Sequence, residues 1–575
     1  MHLSSSMLRV SLAGTLGVLL CSGLGAQIVG GDWIDFHQVN SLETDSRFGF
    51  AVAGIGDING DGFADYLVGA PEADPNGKTN AGSAFVYSGF DNSELCRVDG
   101  ANPKSKLGYS VAGLDDVDGD GYADFAIGAP FADPAGVSNA GQVLVISGQS
   151  CTLLYKIPFD EPESNFGFSI DGMPDVDGDG FGDLVVGAPL TEPGGRVAAG
   201  SALVYSGVNG SLIHRVDSIV ANWWFGSAVS NAGDTNGDGV ADFIVGATFA
   251  DVINGHDNAG AALIFSGADA SKLLSIPGQN PTDMLGNAVD CVGDLNGNGF
   301  DDVIVGIYLA EPNGRTGAGG AYVVDGQSGA LLFRVIGETK WEKLGWSVAG
   351  VGDVNGDGIP DFAAGAPTAD LNGNVHAGKA YLYSGANGKL LHRFEGEGQE
   401  FRLGQAVAGL DDLDGDGCAE FLVSAHRADY AGAGESGTVW VKQHLRYLYT
   451  DVSSVSSGAG GTVNFHVDFT AAEAGLDYTL LCSAAGTGPT WLYGIQVPLS
   501  PDPLYHQLLN GNPPSGLTGC YGTLDSMGKG LATLVNPPGG MWKFIGREIY
   551  ASALAHPSGG APIKCSVAVS VLVEP

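Results

Sequence analysis

Seven nine-residue acidic stretches share the pattern D-x-[DN]-x-[DN]-G-x-x-[DE]: DINGDGFAD, DVDGDGYAD, DVDGDGFGD, DTNGDGVAD, DLNGNGFDD, DVNGDGIPD and DLDGDGCAE. In such a loop the side chains at positions one, three, five and nine turn inward together with the backbone carbonyl of position seven. That is the oxygen-only shell a hard cation takes, at about 2.3 to 2.6 Å for Ca²⁺. Glycines at positions four and six permit the tight backbone path.

The candidate ligands of the first loop are Asp57, Asn59, Asp61, the carbonyl of Phe63, and Asp65. The second offers Asp116, Asp118, Asp120, the Tyr122 carbonyl and Asp124; the third Asp175, Asp177, Asp179, the Phe181 carbonyl and Asp183. In the fourth they are Asp234, Asn236, Asp238, the Val240 carbonyl and Asp242, and in the fifth Asp294, Asn296, Asn298, the Phe300 carbonyl and Asp302. The sixth supplies Asp353, Asn355, Asp357, the Ile359 carbonyl and Asp361, and the seventh Asp412, Asp414, Asp416, the Cys418 carbonyl and Glu420.

Like charges this close oppose folding unless a cation offsets them. Mg²⁺ demands stricter octahedral geometry and dehydrates reluctantly, so up to seven structural Ca²⁺ are expected, with affinities of roughly 10⁻⁴ to 10⁻³ M. Seven would move the formal charge from −40 to −26. The fifth loop, with Asn296 and Asn298, is expected to bind most weakly. Position twelve of an EF-hand would be a bidentate Glu, but here it is Val68, inside an apolar run, so the loops belong to hairpins and not to helix pairs.

The elements that carry these loops repeat with them. Copies begin at Phe48, Leu107, Phe166, Phe225, Leu285, Leu344 and Leu403, 59 residues apart except for one spacing of 60. A fixed period of this length marks a chain of identical supersecondary units. In the sixth copy four β-type runs, 345–349, 361–364, 379–384 and 389–394, are separated by turn residues and describe an antiparallel meander. A lone four-stranded sheet cannot bury both faces, whereas copies packed around an axis form a β-propeller with short, protected edges. An open solenoid is the competing arrangement.

The chain ends favour a ring. The seventh copy stops after GTVWVKQ without a fourth run, and DFHQVNSLETDSRFG ahead of the first copy matches LLHRFEGEGQEFRLG in spacing. Residues 34–40 are therefore expected to supply the outer strand of the last blade.

Phe48-Gly49, then a calcium-type loop, then Gly69-Ala70-Pro71 resembles the FG-GAP repeat of integrin α-subunit propellers. The pattern recurs as Leu107-Gly108 with Gly128-Ala129-Pro130, Phe166-Gly167 with Gly187-Ala188-Pro189, and Leu344-Gly345 with Gly365-Ala366-Pro367. It drifts to Gly246-Ala247-Thr248, Gly306-Ile307-Tyr308 and Ser424-Ala425-His426. The resemblance covers about residues 28–446 and implies an all-β, seven-bladed propeller with calcium at the face carrying the first hairpin loops. Nothing resembles integrin leg domains, the inserted domain or the membrane helix; secreted bacterial repeat proteins are the closer likeness.

Residues 1–26 read as a cleaved secretory signal, with Arg9, an apolar stretch and a small-residue end. No later stretch is long and apolar enough to span a membrane as a helix. The expected organisation is a signal over 1–26, a propeller over 27–446 and a β-rich module over 447–575. In that last module Val463, Phe465, Val467 and Phe469 alternate against polar neighbours, and 566–573 make a final apolar strand. A small β-sandwich is the economical reading, with 510–516 as loop. Seven cysteines remain after cleavage, an odd and widely spaced set that does not read as a disulfide framework. One bridge among Cys482, Cys520 and Cys565 is the option left open, and Cys291 and Cys418 read as packing residues.

With 25 basic and 65 acidic side chains, the chain is a poor partner for nucleic acid or an anionic membrane. The 44% hydrophobic content argues against disorder. No H-E-x-x-H, G-x-S-x-G or Cys/His cluster occurs, so no catalytic residue is assigned. The expected role is a secreted binding or adhesion module for an extracellular protein or glycan. The alternative is a secreted hydrolase or lyase acting on polysaccharide or phospholipid, with a carboxylate pair in the axial mouth. Opposite the loops, Asp74, Asp133, Glu192, Asp251, Glu311, Asp370 and Asp429 are expected chiefly to cap turns, with binding of a cation or of a basic or sugar partner as the other use of the ring. Trp223, Trp224, Trp341 and Trp346 are expected chiefly to pack between blades, with stacking on sugars as the other use. Ligand and oligomeric state are not legible.

Overall fold

The computed structural model describes residues 32–445 apart from 253–257, 414–416, 431 and 433, and then the strands of 448–574 with a few positions between them. The expected signal over 1–26 and the loop at 510–516 lie outside the described residues.

Each repeat is a four-stranded antiparallel meander. Blade 1 is built from Ala51–Gly56, Asp65–Ala70, Ser83–Tyr87 and Glu94–Asp99, and blade 6 from Val348–Gly352, Asp361–Ala366, Lys379–Tyr383 and Leu390–Glu395. The first strand of blade 6 starts three residues later than the sequence suggests, because Gly345 and the residues after it turn against the neighbouring blade.

The second strand of every blade is buried along its whole length, as in the six residues of Asp65–Ala70. Its side chains alternate between two seams: Tyr66, Val68 and Ala70 pack with Leu422 and Val441 of blade 7, whereas Leu67 packs with Val111 and Phe125 of blade 2. Period-two alternation thus gives each blade two apolar faces, and each seam between neighbouring blades holds one core cluster. Burying a side chain such as Tyr66 or Phe125 contributes on the order of 2 kcal/mol, and the total is spread around the ring.

The FG and GAP glycines set how closely blades approach. A Cβ on Gly69 would lie 2.1 Å from the carbonyl oxygen of Gly108 in the next blade, and Gly108 itself has φ +84°. At the closing seam Ser424 stands at the GAP glycine position, and a Cβ on Gly49 would come within 3.0 Å of its Cβ.

The ring is closed by its own ends. Asp32–Asn40 pairs antiparallel with Thr438–Leu445 as the fourth strand of blade 7, from Asp32 opposite Leu445 to Asn40 opposite Thr438, with an irregularity between Asp35 and His37. Lys442 adds an ion pair to Asp35 across this join, and the closed seven-bladed ring excludes the open solenoid.

One expectation is corrected. Cys96, in the outer strand of blade 1, and Cys151, beside the outer strand of blade 2, form a disulfide with a Cα–Cα distance of 5.7 Å. Cys291 and Cys520 stand outside any disulfide, and the side chain of Cys565, one of the three residues of the bridge left open for the last module, lies outside the described residues. The two bridged residues occupy non-equivalent repeat positions, and only the stacking of blades brings them together.

The last module consists of two main sheets. One orders Leu448–Thr450, Gly461–Asp468, Lys529–Asn536 and Leu517–Thr518. The other contains Ser454–Ser456, Val569–Glu574, Glu548–His556, Asp477–Ser483 and Tyr521–Thr523. Phe465, in the alternating strand, is buried as its pattern requires.

Candidate metal centre

In each blade the acidic loop joins the first strand to the second at one end of the propeller. The carboxylate at position one organises the turn: Asp57 Oδ1 accepts the Gly60 N–H at 2.7 Å and Oδ2 accepts the Gly62 N–H at 2.8 Å. Asp116, Asp175, Asp234, Asp294 and Asp353 bond the equivalent glycines at 2.6 to 2.9 Å. The glycines have left-handed backbone, with φ +78° and +91° at Gly60 and Gly62.

Position nine is a second anchor. Asp65, Asp124, Asp183, Asp242, Asp302, Asp361 and Glu420 are all fully buried. Asp124 accepts from Val117 N–H inside the loop and from Gly148 N–H in the turn between the third and fourth strands, both at 2.9 Å. The same two-sided bonding recurs in the first six blades. In the seventh, Leu413 N–H donates to Glu420 at 2.6 Å.

These carboxylates are held under electrostatic stress. Burial, set against the backbone bonds and reinforced by neighbouring loop carboxylates, pushes Asp65 up to about 7, Asp124 and Asp183 to about 6, and Asp361 to about 8. Among the described residues, no lysine or arginine forms an ion pair with the loop carboxylates of blades 1 to 5. The oxygens converge nonetheless: ligand atoms of Asp116, Asp118 and Asp120, and of Asp175, Asp177 and Asp183, lie within 4.8 Å of one another. An all-oxygen donor set with buried carboxylates and no basic side chain to offset them fits a hard divalent cation.

The fifth loop contains a residue that motif reading misses. Asp325 Oδ2 accepts from Asn296 Nδ2 at 2.8 Å and from Asn298 Nδ2 at 2.6 Å. At the sister position other blades carry Ser88, Ser147, Ser206, Ser266 and Ser384, and Ser88 and Ser206 reach the position-five carboxylates Asp61 and Asp179 at 3.4 Å. A carboxylate from outside the loop therefore stands beside the two asparagines, and comparison of sister positions in the turn would have revealed it. In the seventh loop Asp414 and Asp416 lie outside the described residues, while Asp412 accepts from Gly417 N–H at 2.8 Å.

At the opposite end five of the seven ring acids cap turns: Asp74, Asp133, Asp251, Asp370 and Asp429 accept backbone N–H bonds at 2.6 to 2.9 Å from Asn80, Asn139, Asn258, His376 and Glu435. Among the described residues Glu192 and Glu311 make no corresponding bond, and none of Asp74, Asp133, Glu192 and Glu311 caps its own 3₁₀ turn through the side chain. Trp223 packs partly buried on the core between blades 3 and 4, and Trp224 and Trp346 pack edge-on against Phe249 and Tyr308. Trp341 is 56% exposed and lies over Gly317.

The axial channel, about 280 Å³, is lined by the first strands of all seven blades. Equivalent channel positions hold Ala53, Ala112, Asp171, Ser230, Asp290, Ala349 and Ala408. Ser230 Oγ lies 2.7 Å from Asp171 Oδ2 and 2.9 Å from Asp290 Oδ1, and Asn231 and Gly350 N–H groups donate to the same two carboxyls. No helix among the described residues is long and apolar enough to cross a membrane.

The family model described as FG-GAP repeat matches residues 48–87, 107–146, 166–205, 225–265, 344–383 and 403–441. The fifth copy, where Gly306-Ile307-Tyr308 departs from the pattern, is outside these matches. The chain is 32% identical to integrin alpha-5 of Xenopus laevis over 227 residues, 37% of this chain and 21% of that protein. Integrin alpha-V of Gallus gallus is 32% identical over 230 residues, 38% of this chain and 21% of its own length. Phosphatidylinositol-glycan-specific phospholipase D of Bos taurus is 26% identical over 442 residues, covering 71% of this chain and 47% of the relative. The chain thus spans a fifth to a half of the length of these relatives.

Proposed function

Because this chain is an FG-GAP repeat β-propeller protein of the integrin α-like type, we propose that it works outside the cell as a calcium-braced binding module for a protein or glycan partner. Each acidic loop would hold one Ca²⁺ through the residues named above, with Asp325 supporting the fifth. The ion would supply the positive charge that the buried position-nine carboxylates lack and lock the first hairpin to the turn beyond the third strand.

One observation carries the binding role. The residue immediately before each FG pair is Arg47, Lys106, Asn165, Trp224, Met284, Lys343 or Arg402, and all seven have left-handed backbone with φ between 51° and 60°. A first strand such as Ala51–Gly56 separates this end from the acidic loops, by roughly 20 Å. A fixed backbone that displays varied side chains, six of them partly exposed and only Asn165 buried, is the makings of a recognition face, whereas the residues that repeat faithfully build the ring.

The likeness to a phospholipase D keeps a hydrolase or lyase acting on polysaccharide or phospholipid as a second reading. The carboxyl pair of the channel supports it poorly, since Asp171 and Asp290 are committed to Ser230, Asn231 and Gly350. Glycan-array and cell-surface binding of the calcium-loaded protein, beside a hydrolysis screen on both substrate classes, tests the two readings. Saturable binding without turnover is expected; reproducible turnover would replace the first reading by the second.

A further inference from the structure

Blade 1 shows how the face opposite the acidic loops accommodates a carboxylate. Glu72, the second residue after the Gly69-Ala70 pair, sits between Arg47, which precedes the FG pair of its own blade, and Lys106, which precedes that of the next. Its oxygens are 3.0 Å from Arg47 Nε and 3.2 Å from Lys106 Nζ. The equivalent station elsewhere holds Phe131, Leu190, Phe249, Leu309 and Thr368. In blade 7 it holds Arg427, and its two flanking positions are Arg402 and Arg47. Where blade 1 alternates plus, minus, plus, the seam between blades 7 and 1 places three arginines together.

These arginines are not fully served by what surrounds them. Glu400 Oε2 lies 3.2 Å from Arg402 Nη2 and 3.8 Å from Arg427 Nη1, and Glu435 pairs with Arg427. The Nε atoms of Arg402 and Arg427 are nevertheless buried without a hydrogen-bond acceptor, and Arg47 Nε meets Glu72 as an ion pair at 3.0 Å without a hydrogen bond. Beneath them His426, at the position occupied by Pro71 in blade 1, is 3% exposed and packs edge-on against Phe50. Its Nδ1 also lacks a partner, and all three arginines act on its ring electrostatically. The arginine side chains remain a quarter to a third exposed, so the cluster opens to solvent.

We propose that the seam between blades 7 and 1 is an oxyanion site, formed by Arg47, Arg402 and Arg427 above His426, that takes a single carboxylate presented by a protein partner. The guanidinium fork matches a carboxylate in two-point bonding, and Glu72 shows that the sister station accepts this group between two basic side chains. Only one carboxylate is accommodated. Glu72, Glu400 and Glu435 stand around the arginines, and the chain carries −40 overall, so a sulfated or polyuronate chain would meet repulsion at every further charge. The protein-partner part rests on the binding-module reading; the oxyanion site itself does not.

The experiment uses the calcium-loaded mature protein. Replacing chloride by acetate at constant ionic strength raises the thermal midpoint of the wild type by about 1 to 3 °C. The shift disappears in Arg427→Glu, which restores the blade 1 pattern, and in Arg427→Gln, which tests the same loss without adding a charge. No shift in the wild type, or an equal shift in both variants, overturns the site and leaves the binding-module reading to its own array. In a second arm an immobilised peptide with one glutamate retains the wild type at least about fivefold more than its glutamine counterpart, and Arg427→Glu abolishes the difference. A shift with acetate but no discrimination between the peptides, or preferential retention by a heparin oligosaccharide, overturns the protein-carboxylate assignment.

Discussion

Asp65 and Gly89 join two hairpins of one blade: the carboxylate that closes the first acidic loop accepts the Gly89 N–H at 3.1 Å, 24 residues further on. Its other oxygen accepts Ile58 N–H at 3.0 Å inside the loop. A cation bound by this carboxylate would therefore brace half a blade, and the same bonding recurs in the first six blades.

Removing one such carboxylate should be felt beyond its own loop. Asp124→Ala leaves the buried N–H groups of Val117 and Gly148 without their acceptor and removes one ligand. The expected loss is roughly 2 to 5 kcal/mol in the calcium-loaded protein, read by urea unfolding, together with one fewer bound calcium. An unchanged midpoint would show that the loop closes without its ninth position.

Asp325 should matter only to the fifth loop. Asp325→Ser gives blade 5 the residue its sister blades carry, and titration should then lose the fifth ion while the other sites keep theirs. Unaltered stoichiometry and affinity would return Asp325 to the role of an ordinary turn acid.

Ring closure predicts a global effect from a terminal cut. Deleting residues 28–45 removes the strand paired with Thr438–Leu445 and the Asp35–Lys442 ion pair, so the midpoint of the whole propeller should fall in one transition. A midpoint equal to that of the full chain would mean that six complete blades and three strands suffice.

The channel pair predicts a pH dependence of definite sign. Burial, with Asp171's charge next, raises Asp290 to about 7, and burial raises Asp171 as well. A carboxyl whose folded value is raised binds more protons folded than unfolded, so its stabilising contribution is complete below the ordinary carboxylate range and is lost as pH rises through about 7. Ser230, Asn231, Gly350 and the Cys291 thiol are the groups near the pair. Asp171→Asn should flatten the fall between about pH 4 and 7 and gain on the order of 2 to 4 kcal/mol over the wild type at pH 7.5, measured in excess calcium. A parallel fall in the two proteins would contradict it.

Features fixed by a repeating local pattern were legible before the fold was known. The blade count, the acidic loops and the closing strand follow from period, turn chemistry and the two incomplete ends. Features that depend on contacts between copies were not. Cys96 and Cys151 occupy different repeat positions, and the Asp171–Ser230–Asp290 cluster emerges only when one column of sister residues is placed around an axis. Asp325 lies outside the loop motif it serves. The arginine cluster needs Arg47 from the first copy beside Arg402 and Arg427 from the last, a neighbour relation that exists only in a closed ring.

Calorimetry of the calcium-loaded protein before and after chelation tests the central claim most directly, with a calcium titration of the stripped protein alongside. Seven braced loops predict that stripping lowers the unfolding midpoint by about 10 °C at millimolar calcium, and that titration restores it with close to seven ions bound. An unchanged midpoint with no heat of binding would contradict the account.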